Sequence, residues 1–83
     1  SRSAFAAVEA AESLGLSLPD QISVVGHDAY HIKLPWMVRI TSVEVPWFEA
    51  GKRAICMLSE MYKSGEFTCE PEILTPKLCV GET

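Results

Sequence analysis

Two stretches of this chain repeat apolar residues at helical spacing, and the stretch between them alternates short apolar runs with turn residues. In the first, Ala4, Ala7, Val8, Ala11 and Leu14 share a face while Glu9, Glu12 and Ser13 lie on others, which predicts a helix over 4–14 stopped by Gly15. Phe5 stands at the edge of that stripe, where it either completes the same core or covers a second surface. In the second, Trp47, Ala50, Ala54, Met57, Leu58 and Met61 form the main stripe, and Phe48, Ile55 and Tyr62 recur every seven residues on an adjacent face. Pro46, whose missing N–H costs nothing at a helix entry, and Gly65 bound this helix at about 47–64.

Between the helices, a Leu18-Pro19-Asp20 turn leads into Ile22 to Gly26, a β-branched run suited to burial on both faces. Ile40 to Val45 reads as a second strand. After Gly65, Glu72-Ile73-Leu74 and Leu78-Cys79-Val80 are short extended runs broken by Thr75-Pro76. The order helix, turn, strand, loop is that of a parallel α/β unit. Ligands of such sheets sit beyond the carboxyl ends of the strands, so Asp28, next after the first strand and His27, is the first place to look for a bound polar molecule. The irregular stretch from Asp28 to Trp36 carries Tyr30 and Trp36, and two aromatics in so short a loop point to a surface that something else covers.

Composition narrows the class. At 83 residues, 48% hydrophobic and 22% charged, the chain has the make-up of a globular protein but is short for a domain. A free-standing parallel α/β domain needs more strands than this, so the pattern is expected to be part of something larger, entered partway through a βαβ repeat. A net charge of -4, with Arg2, Lys33, Arg39, Lys52, Arg53, Lys63 and Lys77 scattered, argues against these residues themselves gripping nucleic acid. No window approaches the roughly 20 apolar residues of a membrane span, so no membrane partner is expected. Cys56, Cys69 and Cys79 match no zinc or redox spacing and read as reduced thiols of a cytoplasmic protein.

Candidate chemistry is sparse. His27, Asp28 and His31 cluster, but a metal would need three or four converging ligands, so no metal and no cofactor is expected; the histidines are either loop residues or ligand contacts. Without a phosphate loop, nucleophile elbow or paired-carboxylate signature, nothing supports an enzyme. Asp28 could accept hydrogen bonds from vicinal hydroxyls of a sugar or amino groups of a base, or could cap the following turn. Trp47 could stack on a sugar ring or pack in a core.

In order, these segments resemble the C-terminal part of LacI/GalR-type transcriptional regulators, whose effector domain is similar to periplasmic sugar-binding proteins. Ala6 to Leu16 followed by Pro19-Asp20-Gln21-Ile22-Ser23-Val24-Val25-Gly26-His27-Asp28 resembles the family's helix, "GL.VP" and "ISVVG.D". Thirteen residues after Asp28, Thr41-Ser42-Val43 resembles "TTV"; Pro46, Glu49, Gly51 and Ala54 fit "P..E.G..A"; Thr75 to Val80 resembles the closing "P.LVVR.ST". The resemblance implies an α/β fold, a fragment of a two-subdomain, Rossmann-like, periplasmic-binding-protein-like domain with parallel strands. Residues 1–42 and about 70–83 would belong to the C-terminal subdomain and about 45–66 would cross into the N-terminal one, with effector bound between them.

By the same resemblance, Asp28, Val45 and Trp47 would contact the effector, expected to be a carbohydrate, while Phe5, Tyr30 and Trp36 would face a homodimer partner. Operator DNA would be bound through a helix-turn-helix outside these residues. The chain departs from the pattern at Ala29, where a second acidic residue is common, at Ser1 for a usual aspartate, and at Gly81 for a usual arginine. Val38-Arg39 replaces an approach that often bears proline, and Val45 is apolar where some members carry a polar contact. The rival reading is a sugar-binding protein of a transport system, which shares the fold without DNA binding.

Overall fold

In a computed structural model that describes residues 2–83, the first apolar stripe forms α1 (Arg2–Ser13). Ser1, where the family pattern has an aspartate, lies outside the described residues. Only Ala4, Val8 and Ala11 of the stripe are buried; Ala7 is exposed and Leu14 is 76% exposed, contrary to the sequence expectation. Leu14 lies beyond the helix end. Ala4 and Val8 join Ala29, Met37 and Ile40 in the core, with Phe5, Leu18, Val24, Leu34 and Val38 packed around it.

The sheet has the order β1-β2-β3, built from Val25–His27 (β1), Thr41–Glu44 (β2) and Lys77–Cys79 (β3). The strand expected over Ile22–Gly26 begins later, and Val25 is 61% exposed rather than buried on both faces. Its approach is held by the chain end instead: Val24 N–H donates to the Thr83 carbonyl at 3.1 Å, and Thr83 Oγ1 donates to the Val24 carbonyl at 2.7 Å. β1 and β2 are parallel, with Val25 opposite Thr41 and His27 opposite Val43.

The expectation of parallel strands fails at β3, which runs antiparallel to β2. Lys77 lies opposite Glu44, so the chain re-enters the sheet at the end where β2 leaves it, and only the opposite direction is then open. Glu72-Ile73-Leu74 forms no strand, and Ile73 is 92% exposed. Two glycines permit close packing. A Cβ on Gly26 would lie 2.8 Å from the Ala4 Cβ, so α1 can rest on β1 only because this position is bare. A Cβ on Gly81 would collide with the Arg39 carbonyl oxygen, which gives a steric reason for glycine where the family has arginine.

By its contacts the chain divides into two compact units: the residues up to Val45 with Pro76–Thr83, and Pro46–Thr75. The second contains α2 (Trp47–Ser64), whose bounds agree with the sequence expectation. Gly65 ends it in the left-handed conformation at φ 76°, its N–H donating to the Met61 carbonyl at 2.9 Å. Glu49 in the first turn and Lys63 in the last complement the helix dipole. No α2 residue is buried; Ala50, Met57 and Met61 are half-buried, while Trp47, Phe48, Ala54, Ile55, Leu58 and Tyr62 are exposed. Arg53 reaches Glu49 at 2.9 Å and Glu72 at 3.2 Å, tying the extended segment to the helix. The hydrogen bond to Glu49, then the charges of Glu72 and Glu49, hold the Arg53 pKa above its ordinary value.

Candidate functional site

The site begins where β1 ends. Asp28 has φ 52°, a left-handed conformation that costs free energy for a residue with a Cβ, although aspartate tolerates it better than most. Neighbouring bonds hold it there. Asp28 N–H donates to the Val43 carbonyl at 2.9 Å, and Ala29 N–H donates to Ser42 Oγ at 2.9 Å. Asp28 Oδ1 accepts the Val45 N–H, also at 2.9 Å. The turn out of β1 is thus stitched to β2 at Asp28 and at Ala29, and the Asp28 carboxylate itself is part of the stitching.

The other Asp28 oxygen, Oδ2, lies 3.3 Å from His27 Nδ1; the Asp28 side chain is 30% exposed and that of His27 is 61% exposed. His31 serves a different carboxylate, its Nε2 lying 3.7 Å from Glu44 Oε1. The two histidines therefore do not converge on one point. Among the described residues, no group of three or more His, Cys, Asp or Glu side chains is placed to hold a metal ion, and Cys56, Cys69 and Cys79 are free thiols.

The remaining sequence candidates are spread over several surroundings. Val45 is half-buried, and its backbone N–H is the donor to Asp28 Oδ1. Trp47 opens α2 with 64% of its surface exposed. Phe5 is half-buried against the core of its own unit, and Tyr30 is half-buried beneath the Arg39 guanidinium, 4.9 Å above its ring centre. The His31 ring meets Tyr30 edge-on at 5.3 Å, and Arg39 Nη1 donates to the Tyr30 carbonyl. Trp36 is 71% exposed.

Sequence reasoning missed Ser42, whose fully buried hydroxyl accepts the Ala29 N–H, and Thr83, whose hydroxyl links Val24 to Thr41. The signal for Ser42 was a small hydroxyl residue between the β-branched Thr41 and Val43 of its strand. For Thr83 no local signal exists, because its partners lie 59 and 42 residues away.

Asp28 stands beyond the carboxyl ends of two parallel strands, the side of an α/β sheet on which ligands of such folds sit. The chain belongs to the periplasmic binding protein-like domain family, which it matches over residues 1–83. It is 30% identical over 77 residues to the HTH-type transcriptional repressor PurR of Aliivibrio fischeri (strain MJ11), covering 87% of this chain and 23% of that protein. It is 33% identical over 73 residues to the arabinose metabolism transcriptional repressor of Geobacillus stearothermophilus, covering 81% of this chain and 20% of that protein. A PurR of Aliivibrio salmonicida (strain LFI1238) is 29% identical over 79 residues, or 89% of this chain and 24% of that protein.

No solved structure matches the chain significantly. The chain spans less than a quarter of the length of these curated relatives. The motif resemblance to LacI/GalR-type regulators stands, since these relatives are transcriptional repressors. Among the described residues, no helix is long and apolar enough to cross a membrane.

Proposed function

We propose that this chain is the effector-binding and dimerisation segment of a LacI-type transcriptional regulator that senses a small polar molecule, a sugar, and binds operator DNA through a part of the protein outside these residues. The observation that carries this reading is Asp28. A non-glycine residue held at positive φ by bonds to the neighbouring strand is kept there for a reason, and strained residues of this kind gather at ligand sites. Its carboxylate stands beyond the carboxyl ends of β1 and β2, where it can accept hydrogen bonds from sugar hydroxyls. Relatives named as repressors, one of them of arabinose metabolism, support the regulatory role and the choice of sugars as first ligands. Bound effector would act by population shift, favouring one conformation of a dimer and thereby changing its affinity for DNA.

The test is a thermal-shift screen of the full-length protein against pentoses, hexoses, sugar phosphates and purines, with Asp28→Ala and Asp28→Asn alongside. A ligand at about 100 times its Kd stabilises the fold by roughly 2.7 kcal/mol. The expected outcome is a sugar-induced rise in melting temperature that Asp28→Ala abolishes. Asp28→Asn keeps an oxygen for the Val45 N–H and so separates loss of the ligand from loss of the turn. Equal shifts in wild type and both variants would remove Asp28 from the site, and no shift from any compound would refute effector sensing.

A further inference from the structure

We propose that the free side of β1 takes up an extended apolar segment of the full-length protein, the one that leads into α1, as a further strand parallel to β1. The proposal does not depend on Asp28 contacting an effector. Among the described residues β1 has one neighbour, β2. Val24 N–H donates to Thr83, which itself accepts the Thr41 N–H of β2, and Asp28 N–H donates to Val43 of β2. Backbone groups alternate in direction along a strand, so those of Val25 and His27 point to the other side. Natural sheets blunt such an edge with lysine, proline or a bulge. Val24-Val25-Gly26-His27 has neither lysine nor proline, the pairing of β1 with Thr41, Ser42 and Val43 is regular, and Val25 is 61% exposed.

Room for the side chains of such a strand is present. Along β1 runs an open groove of about 610 Å³, lined by Ser3, Ala4 and Ala7 of α1 and by Val24, Val25 and Val43. The small helix residues leave the space, and the valines offer apolar surface to bury. The direction of the incoming strand follows from α1. A Cβ on Gly26 would lie 2.8 Å from that of Ala4, so the first turn of α1 already rests on β1. A helix that packs on a sheet and then feeds one of its strands is the crossover of a βαβ unit, which joins parallel strands, and consecutive strands are usually neighbours. The other side of β2 is taken by β3, which leaves the free side of β1 for the strand ahead of α1. The repressors related to this chain have the length for it, since the chain spans only 20–24% of them.

The experiment follows amide hydrogen exchange residue by residue in the full-length protein, at a low and a high protein concentration. Val25 and His27 should exchange roughly 100-fold more slowly than exposed amides at both concentrations, as paired strand amides do. Fast exchange at both would overturn the proposal. Protection that appears only at the high concentration would mean that a second copy fills the edge, and would overturn it as well. Val25→Pro, compared with Val25→Ala, adds a second measure. Proline is tolerated where a strand N–H faces solvent but removes a ladder bond where it is paired, so Val25→Pro should have a clearly lower urea midpoint than Val25→Ala; equal midpoints would count against the added strand. If Val25→Pro yields no folded protein, exchange in the wild type decides alone. A photocrosslinking residue in place of Val25 should join to the stretch just ahead of α1 within the same molecule, and a product mapping elsewhere would overturn the choice of occupant.

Discussion

Replacing Ser42 with alanine should destabilise the protein by about 2 kcal/mol, through one lost hydrogen bond. Ser42 is fully buried, and its Oγ is the 2.9 Å acceptor for the N–H of Ala29, which is fully buried as well. The other contacts of this hydroxyl, 3.5 Å to the Val43 carbonyl and 3.4 Å to Glu44 Oε2, are too long to add much. Alanine removes the acceptor without leaving a cavity of consequence, so the cost is that of a buried amide with no partner, roughly 1–3 kcal/mol. A central value of about 2 kcal/mol lowers the folding equilibrium constant roughly 30-fold. Ser42→Thr keeps the oxygen and matches the family pattern at this position, and should cost less.

Two assays check this. Urea unfolding should show a lower midpoint for Ser42→Ala with an unchanged slope, because the exposed surface is the same in both. Amide hydrogen exchange should accelerate at Ala29 and Asp28 ahead of β2, because the lost bond is local to the turn. An unchanged midpoint together with unchanged protection at Ala29 would refute the reasoning. So would Ser42→Thr proving as damaging as Ser42→Ala, since packing and not the hydrogen bond would then govern the position.

Thr83→Val keeps the shape of the side chain but removes an oxygen that donates to the Val24 carbonyl and accepts the Thr41 N–H; urea unfolding should report a loss of about 1–3 kcal/mol, and no loss would mean that water replaces the hydroxyl. Trp36→Glu places a charge on a ring that is 71% exposed within the chain; sedimentation of the full-length protein should show a dimer reduced to monomer with the fold intact, and an undiminished dimer would remove Trp36 from the interface.

The helices were legible because their signals are local. The period of Trp47 to Met61, a proline at the entry and Gly65 at the exit specify α2 within a stretch of some twenty residues, and it forms with the expected bounds. The position of Asp28 was legible for a similar reason, a β-branched run followed by glycine and a carboxylate. The strands were less so. Val24 reads as strand by composition, yet its backbone pairs with Thr83, and the ladder begins only at Val25. The direction of β3 depends on where the chain re-enters beside Glu44, which no residue of β3 encodes.

The sequence by itself determined the two helices, their caps, the α/β class, the family and the aspartate at the end of the first strand. Each of these rests on periodicity or on backbone preference over a few neighbouring residues. Tertiary structure decided that Asp28 is held by Val45 and His27, that Ser42 is the acceptor for Ala29, and that Thr83 closes the sheet from the far end of the chain. Those are bonds between groups that become neighbours only when the chain folds, and a hydroxyl or carboxylate on its own carries no mark of which distant N–H it will meet.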